Sequence, residues 1–338
     1  MNHLVIPDYY ENFECKQSGC RSNCCHDWLV TITENEYFRL LGLACGKRLR
    51  TALDVSLHRL PNPDKECFAE FSRKADGTCP CETKEGLCGL QLKMGEKVLP
   101  MVCRTYPRCI EDRIAYLSNS CEKVVEMLLS RKAPVEYNGW DETYCPNKRK
   151  AIEILQGRSL STEEALQHIL KEFDEDSRLL KINNLDPETG LKFVRRFLKR
   201  IGENSESISK YSAVVLSVLK GDDAVISFSE KKREFQKIIP DADTYFGSLL
   251  VNYILSVENS EEDPSRMASM VCIAYTLLKV ICVCHTAAEG TLSSFVDTAA
   301  GSFRFIQHNQ MFEHSVNIFS MVTETIEKEK NACLTQEK

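Results

Sequence analysis

The sequence predicts a mainly α protein: a cysteine-rich, loop-rich N-terminal metal-binding module, α+β or irregular, over residues 1–146, then an all-α domain over residues 147–338. Three observations carry that reading. Thirteen of the 17 cysteines stand at or before Cys145. Prolines and glycines crowd the same stretch and break its apolar segments into short pieces. Beyond Cys145-Pro146 the pattern changes to apolar residues at helical spacing with few glycines.

In the first region Trp28-Leu29-Val30-Thr31-Ile32 reads as one strand or extended segment. Helical patterns occupy about 34–45, 47–59 and 121–132. In the second region Ser161-Thr162-Glu163-Glu164 supplies a capping box ahead of Leu166, Ile169, Leu170 and Phe173 on one face. Similar runs fall at about 187–201, 206–220, 230–239, 243–258, 265–285 and 311–328, for roughly six to eight helices. Asp186-Pro187 and Asp263-Pro264 mark two of the helix starts. The most apolar stretch, Met270 to Cys284, is interrupted by Lys279 and falls short of the roughly 20 residues a membrane span needs. It is expected to be a buried helix, with no membrane association.

With 338 residues, 43% of them hydrophobic and 27% charged, the chain reads as an ordinary globular protein of one or two domains. Its first residues lack a basic stretch followed by an apolar run, so no secretory leader is expected and the chain is placed in the cytoplasm. Thiols stay reduced there, and 17 cysteines therefore point to metal ligation over a disulfide scaffold. Residues 1–150 carry 22 Lys/Arg against 21 Asp/Glu, and the remainder 21 against 28, for a net charge of -6. An acidic second half disfavours nucleic acid as a partner.

The first cysteine cluster is Cys15-x4-Cys20-x3-Cys24-Cys25, with Gly19 before the second thiol and Trp28 after the last. Closely spaced cysteines on a short loop deliver several thiolates to one metal at low entropic cost. Adjacent Cys24 and Cys25 point less readily at the same metal atom, and one of them is free to serve a second site. The second cluster comprises Cys79-Pro80-Cys81, Cys88, Cys103-Arg104-Thr105-Tyr106-Pro107-Arg108 and Cys121. The spacing allows two four-cysteine zinc centres, one iron–sulfur cluster with one zinc, or one cluster with spare thiols. It matches neither the ferredoxin spacings nor the Cys-x3-Cys-x2-Cys loop of radical enzymes. Cys45, Cys67, Cys81, Cys109 and Cys145 are read as structural, and Cys272, Cys282 and Cys284 as small core hydrophobes. No glycine-rich strand–turn–helix nucleotide fingerprint, P-loop or Gly-x-Ser-x-Gly elbow is present.

At these residues the chain resembles the flagellin lysine-N-methylases (FliB type), a family related to proteins with a zinc- or iron-chelating cysteine domain. The resemblance rests on Phe13-x-Cys15-x4-Cys20-x3-Cys24-Cys25-x2-Trp28, Cys79-Pro80, Gly86-Leu87-Cys88 running to Gly95-Glu96, Cys103-Arg104-Thr105-Tyr106-Pro107-Arg108 and Leu117-Ser118-x-Ser120-Cys121. The family pattern falls on Cys15, Cys20, Cys24, Cys25, Cys79, Cys88, Cys103 and Cys121. His26-Asp27 departs from the glycine that often precedes the tryptophan.

The resemblance implies an S-adenosyl-L-methionine-dependent protein-lysine N-methyltransferase that acts on flagellin with a [4Fe-4S] cluster. A cluster held by only three thiolates leaves one iron open to the methionyl amino and carboxylate groups. The lysine amine must lose its proton before it attacks, and Asp27 and Tyr106 are the candidate bases by their closeness to expected ligands. Arg104 and Arg108 are the candidate partners for the cluster's charge or the cofactor carboxylate. Trp28 is expected to brace the ligand loop. His285, His308 and His314 stand in helical contexts and are expected to be structural or exposed. The competing reading is a non-catalytic zinc-binding protein-interaction module.

Overall fold

The computed structural model describes residues 4–26, 30–141, 143–157, 159–174, 187–201, 206–221, 223–309 and 312. The run expected at 311–328, apart from Phe312, lies outside the described residues, as do Asp27, Trp28, Asp186, His314 and Cys333. The fold is mainly α with a few short strands, as the sequence predicts. Its contacts divide it into two compact units: Glu14–Cys109 with Cys121–Lys123, and Met1–Phe13 with Ile110–Ser120 and Val124–Lys338.

The first unit holds a three-stranded antiparallel sheet with order β2-β4-β3, formed by β2 (Val30–Ile32), β3 (Leu57–Arg59) and β4 (Ala69–Phe71). Val30 pairs with Phe71, and Leu57 meets Phe71 from the other side. Two helices lean on it, α1 (Glu34–Leu41) and α2 (Lys47–Ser56). Helix α1 starts on a capping box in which the Thr33 hydroxyl accepts from Glu36 N–H and the Glu36 carboxylate accepts from Thr33 N–H, so two otherwise orphaned donors are satisfied. Ile32, Leu40, Leu53, Phe71 and Leu90 form the buried core of this unit, with Cys81 inside it and Cys79 and Cys88 packed at its margin. Two short helices follow, α3 (Gly89–Met94) and α4 (Met101–Thr105).

Among the described residues of the second unit, β1 (Ile6–Pro7) pairs antiparallel with β7 (Tyr137–Asn138). A hairpin joins β5 (Arg108–Glu111) to β6 (Ile114–Leu117). Helix α5 (Glu122–Leu129) leads into α6 (Pro146–Gln156) and α7 (Thr162–Phe173). The capping box read at Ser161 and Glu164 is formed at the start of α7. The remaining described helices are α8 (Pro187–Ile201), α9 (Glu206–Val218), α10 (Ala224–Ile238), α11 (Ala242–Leu255), α12 (Pro264–Glu289) and α13 (Leu292–His308). Helix α13 has no counterpart among the runs read from the sequence. Its interior Gly301, Ser302 and Thr298 are buried, and small polar residues on a buried face blur the apolar period.

Helix α12 is the centre of the bundle, packed against α7, α9, α10, α11 and α13. It is long and apolar enough to cross a membrane, yet 89% of its most apolar window is buried inside the structure. Pro264 occupies its first turn, the Asp263 carboxylate accepts from Arg266 N–H, and Gly290 ends it in the left-handed region, where a side chain would be strained. Lys279 is tolerated because its ammonium pairs with the Glu163 carboxylate of α7. A second polar tie sits in the same unit, where Asn252 donates to Leu117 O and to Asn119 Oδ1, both at 2.6 Å, and Asn119 donates to Leu249 O at 2.8 Å.

A close approach is made at Gly301, where an added Cβ would stand 2.7 Å from Tyr211 Cε2 and 2.9 Å from Cζ. Gly301→Ala should therefore lower stability by about 1–3 kcal/mol through overpacking, read as a lower denaturant midpoint with an unchanged slope.

Candidate metal centre

Two loops and one helix of the first unit carry the expected ligands. In the first loop Gln17 N–H donates to Cys15 Sγ at 3.3 Å, and Gln17–Gly19 makes a single 3-10 turn that delivers Cys20 in extended conformation. Asn23 Oδ1 then accepts from Cys25 N–H at 2.8 Å, a local turn that fixes the Cys24-Cys25 pair. The second loop pairs against the first, with Cys79 N–H donating to Cys25 O at 2.8 Å and a bridge between His26 and Thr78. It closes on itself through a Glu82–Cys88 bridge and through Gly89 N–H to Cys81 O at 2.8 Å. A Cβ on Gly89 would also fall 2.8 Å from Cys81 O, so the approach needs glycine. Glu82 staples the two loops, with its carboxylate 2.9 Å from His26 Nε2 and 3.1 Å from Asn23 Nδ2. Cys103 comes from α4.

The thiols act on one another. Cys25 donates its S–H to Cys24, which together with burial and the neighbouring Cys79 and Cys88 pushes its pKa far up. Cys81 donates to Cys79 and is likewise pushed up, whereas Cys79 is held down to about 6 by that hydrogen bond, by the Cys81 backbone N–H and by the Arg73 guanidinium, against the opposing effects of burial and Glu82. Burial raises Cys88 over the opposing N–H groups of Gln91 and Leu90. Cys103 is exposed at its surface but crowded beneath, and desolvation with the Cys24, Cys79 and Cys88 thiols carries it up to about 12 against Arg73. Cys20 rises to about 11 through desolvation and the Glu122 carboxylate, partly offset by Lys16.

Cys24, Cys25, Cys79, Cys81, Cys88 and Cys103 are therefore near enough to act on one another's ionisation. Cys15 and Cys20 lie toward Cys24 on the side of Glu122, the residue after Cys121. Arg104 is exposed on α4, while Tyr106 and Arg108 are half-buried beyond its end. Tyr106 N–H donates to Val102 O at 3.1 Å and so closes α4. Asp27 lies outside the described residues. Ser118 and Ser120 hydroxyls lie 3.1 and 2.8 Å from His308 Nε2, and Thr298 Oγ1 lies 2.9 Å from His285 Nδ1.

Four contributors escape the cysteine spacing: Cys81, Arg73, Glu82 and Glu122. Arg73 donates to Cys25 O at 3.2 Å and supplies positive charge among the thiols. A Cys-Glu dipeptide recurs at Cys81-Glu82 and Cys121-Glu122, and it was the one available signal for both acids.

The donor set fits a thiophilic metal in kind, since thiolates are the ligands of zinc and of iron–sulfur centres. Among the described residues no three His, Cys, Asp or Glu side chains stand in ready ligating geometry.

The class defined so far is a helical protein bearing a crowded cysteine array with its own countercharge. No family model matches the chain, and no solved structure matches it. It is distantly similar to Lysine-N-methylase of Salmonella choleraesuis and of Salmonella typhimurium, each 23% identical over 185 residues that cover 50% of this chain and 46% of the relative. The chain thus spans about half the length of those relatives. It is also 24% identical over 131 residues to Flagellar biosynthetic protein FliU of Salmonella muenchen, covering 38% of this chain and 77% of that protein. The resemblance read from the cysteine pattern is borne out at this distant level.

In reduced, metal-free protein, iodoacetamide should label Cys79 with a midpoint at lower pH than that of Cys20 or Cys103. Cys81→Ala should move that midpoint upward, and Arg73→Gln should move it upward by less, as read by peptide mass spectrometry.

Proposed function

We propose that the chain is an S-adenosyl-L-methionine-dependent protein-lysine N-methyltransferase of flagellin, working in the cytoplasm with a [4Fe-4S] cluster. The observation that carries this reading is the converging thiol array in a chain distantly similar to Lysine-N-methylase. Cys15, Cys20, Cys24, Cys25, Cys79, Cys88, Cys103 and Cys121 are the thiols from which such a cluster would draw its three or four ligands. When bound with one iron left open by three thiolates, such a cluster supplies a seat for the amino and carboxylate groups of the methionyl moiety.

This chain's own residues do the rest. Arg73 offsets the negative charge of the ligated thiolates, and Arg104 and Arg108 hold the cofactor carboxylate. A lysine amine with a pKa of about 10.4 is protonated at neutral pH and needs desolvation or a base. The Asp27 carboxylate, or Tyr106 as tyrosinate, is assigned to take that proton. The neutral nitrogen then attacks the methyl carbon as the carbon–sulfur bond breaks, and S-adenosylhomocysteine leaves. Holding amine and methyl group in line is the main source of acceleration open to such a site. The helical region presents the surface that recognises flagellin.

Protein purified anaerobically should be brown, with about four iron and four sulfide per chain. Incubated with S-adenosyl-L-methionine and flagellin, it should add about 14 Da per methyl group to lysine. Replacing Cys24, Cys79 and Cys88 together with serine should abolish both colour and transfer. Colourless protein with stoichiometric zinc and no transfer would establish the zinc-binding interaction module instead.

A further inference from the structure

Glu122 has a side chain with no solvent exposure, and the groups that coordinate it come from the segment that carries Cys15 and Cys20. Its Oε1 receives Lys16 Nζ at 2.5 Å, next to Cys15, and lies 3.3 Å from Arg21 Nη1, next to Cys20. Its Oε2 accepts from the backbone N–H of Arg21 at 2.8 Å and of Ser22 at 3.1 Å. Glu122 itself follows Cys121. A buried carboxylate is costly unless its lone pairs are filled, and these four donors fill them from one short segment, 16–22. The contact therefore sets the register of the Cys15–Cys20 loop against Cys121, across about a hundred residues of sequence.

We infer that Glu122 is a positioning residue for the metal centre: it seats the Cys15–Cys20 loop so that Cys15, Cys20 and Cys121 face one ligand space. The inference rests on the metal reading of the thiol array. Lys16 and Arg21, the neighbours of Cys15 and Cys20, are both held by Glu122, so the carboxylate fixes the loop at each of its two thiols. Groups that hold ligand-bearing segments typically change metal affinity by about 10–100-fold when removed.

The test uses the full chain with Glu122→Ala and Glu122→Gln. In metal-free protein, the alkylation rates of Cys15 and Cys20 are measured against those of Cys79 and Cys81. Metal retention is then measured by competition with a chelator after anaerobic loading with ferrous iron and sulfide, or with zinc. Glu122→Ala should speed alkylation of Cys15 and Cys20 about tenfold, leave Cys79 and Cys81 unchanged, and weaken metal retention about 10–100-fold. Glu122→Gln, which keeps an acceptor for the Arg21 and Ser22 N–H groups, should fall between it and the parent and guards against simple failure to fold. Parent-like alkylation and parent-like metal retention in both variants would overturn the inference. If the parent chain itself holds neither iron nor zinc, the metal reading fails, and with it the positioning role, whatever the alkylation rates.

Discussion

Much of the thiol-bearing unit depends on one buried carboxylate. An ionised group without access to water must be coordinated fully or it destabilises the fold by several kcal/mol. Burial alone would raise the pKa of Glu122, but hydrogen bonds from Lys16 and Ser22 and the charges of Arg21 and Lys16 outweigh it and hold the group below the usual carboxylate range. Those donors come from residues 16–22, so satisfying Glu122 folds the Cys15–Cys20 loop. The same contact accounts for Cys121–Lys123 belonging with Glu14–Cys109.

A second constraint follows from the crowding of thiols. Each thiolate raises the pKa of its neighbours, so the array cannot ionise as a whole without positive charge. The chain supplies part of that charge through Arg73, and it spreads protons unevenly, with Cys81 donating to Cys79. Support comes from beneath, because Cys81 belongs to the same core as Ile32, Leu40 and Phe71. A core that continues directly into the thiol array holds those side chains in fixed positions.

The helical unit follows simpler rules. The long apolar stretch of helix α12 is surrounded by other helices, and Lys279 within it is answered by Glu163. Small residues in α13 let Tyr211 approach the backbone at Gly301, and the Tyr211 hydroxyl donates to Asp297 O at 3.1 Å.

The mainly α class was legible because helical spacing and caps are local: Ser161 with Glu164, and Asp263 with Pro264, announced their helices within four residues. The clustering of Cys15, Cys20, Cys24 and Cys25 was legible for the same reason, as spacing within one short loop, whereas the set of eight came from the family resemblance. Helix α13 was not, since buried serine, threonine and glycine are polar or small in sequence and become core only through their neighbours. Cys81, Arg73, Glu82 and Glu122 were not read as parts of the site either, because each works through a partner that only tertiary folding brings near. The sequence by itself determined which atoms were available to bind a metal. The tertiary structure decided which of them meet and which charges stand among them, because a pKa and a hydrogen bond depend on distance in space and not on spacing along the chain.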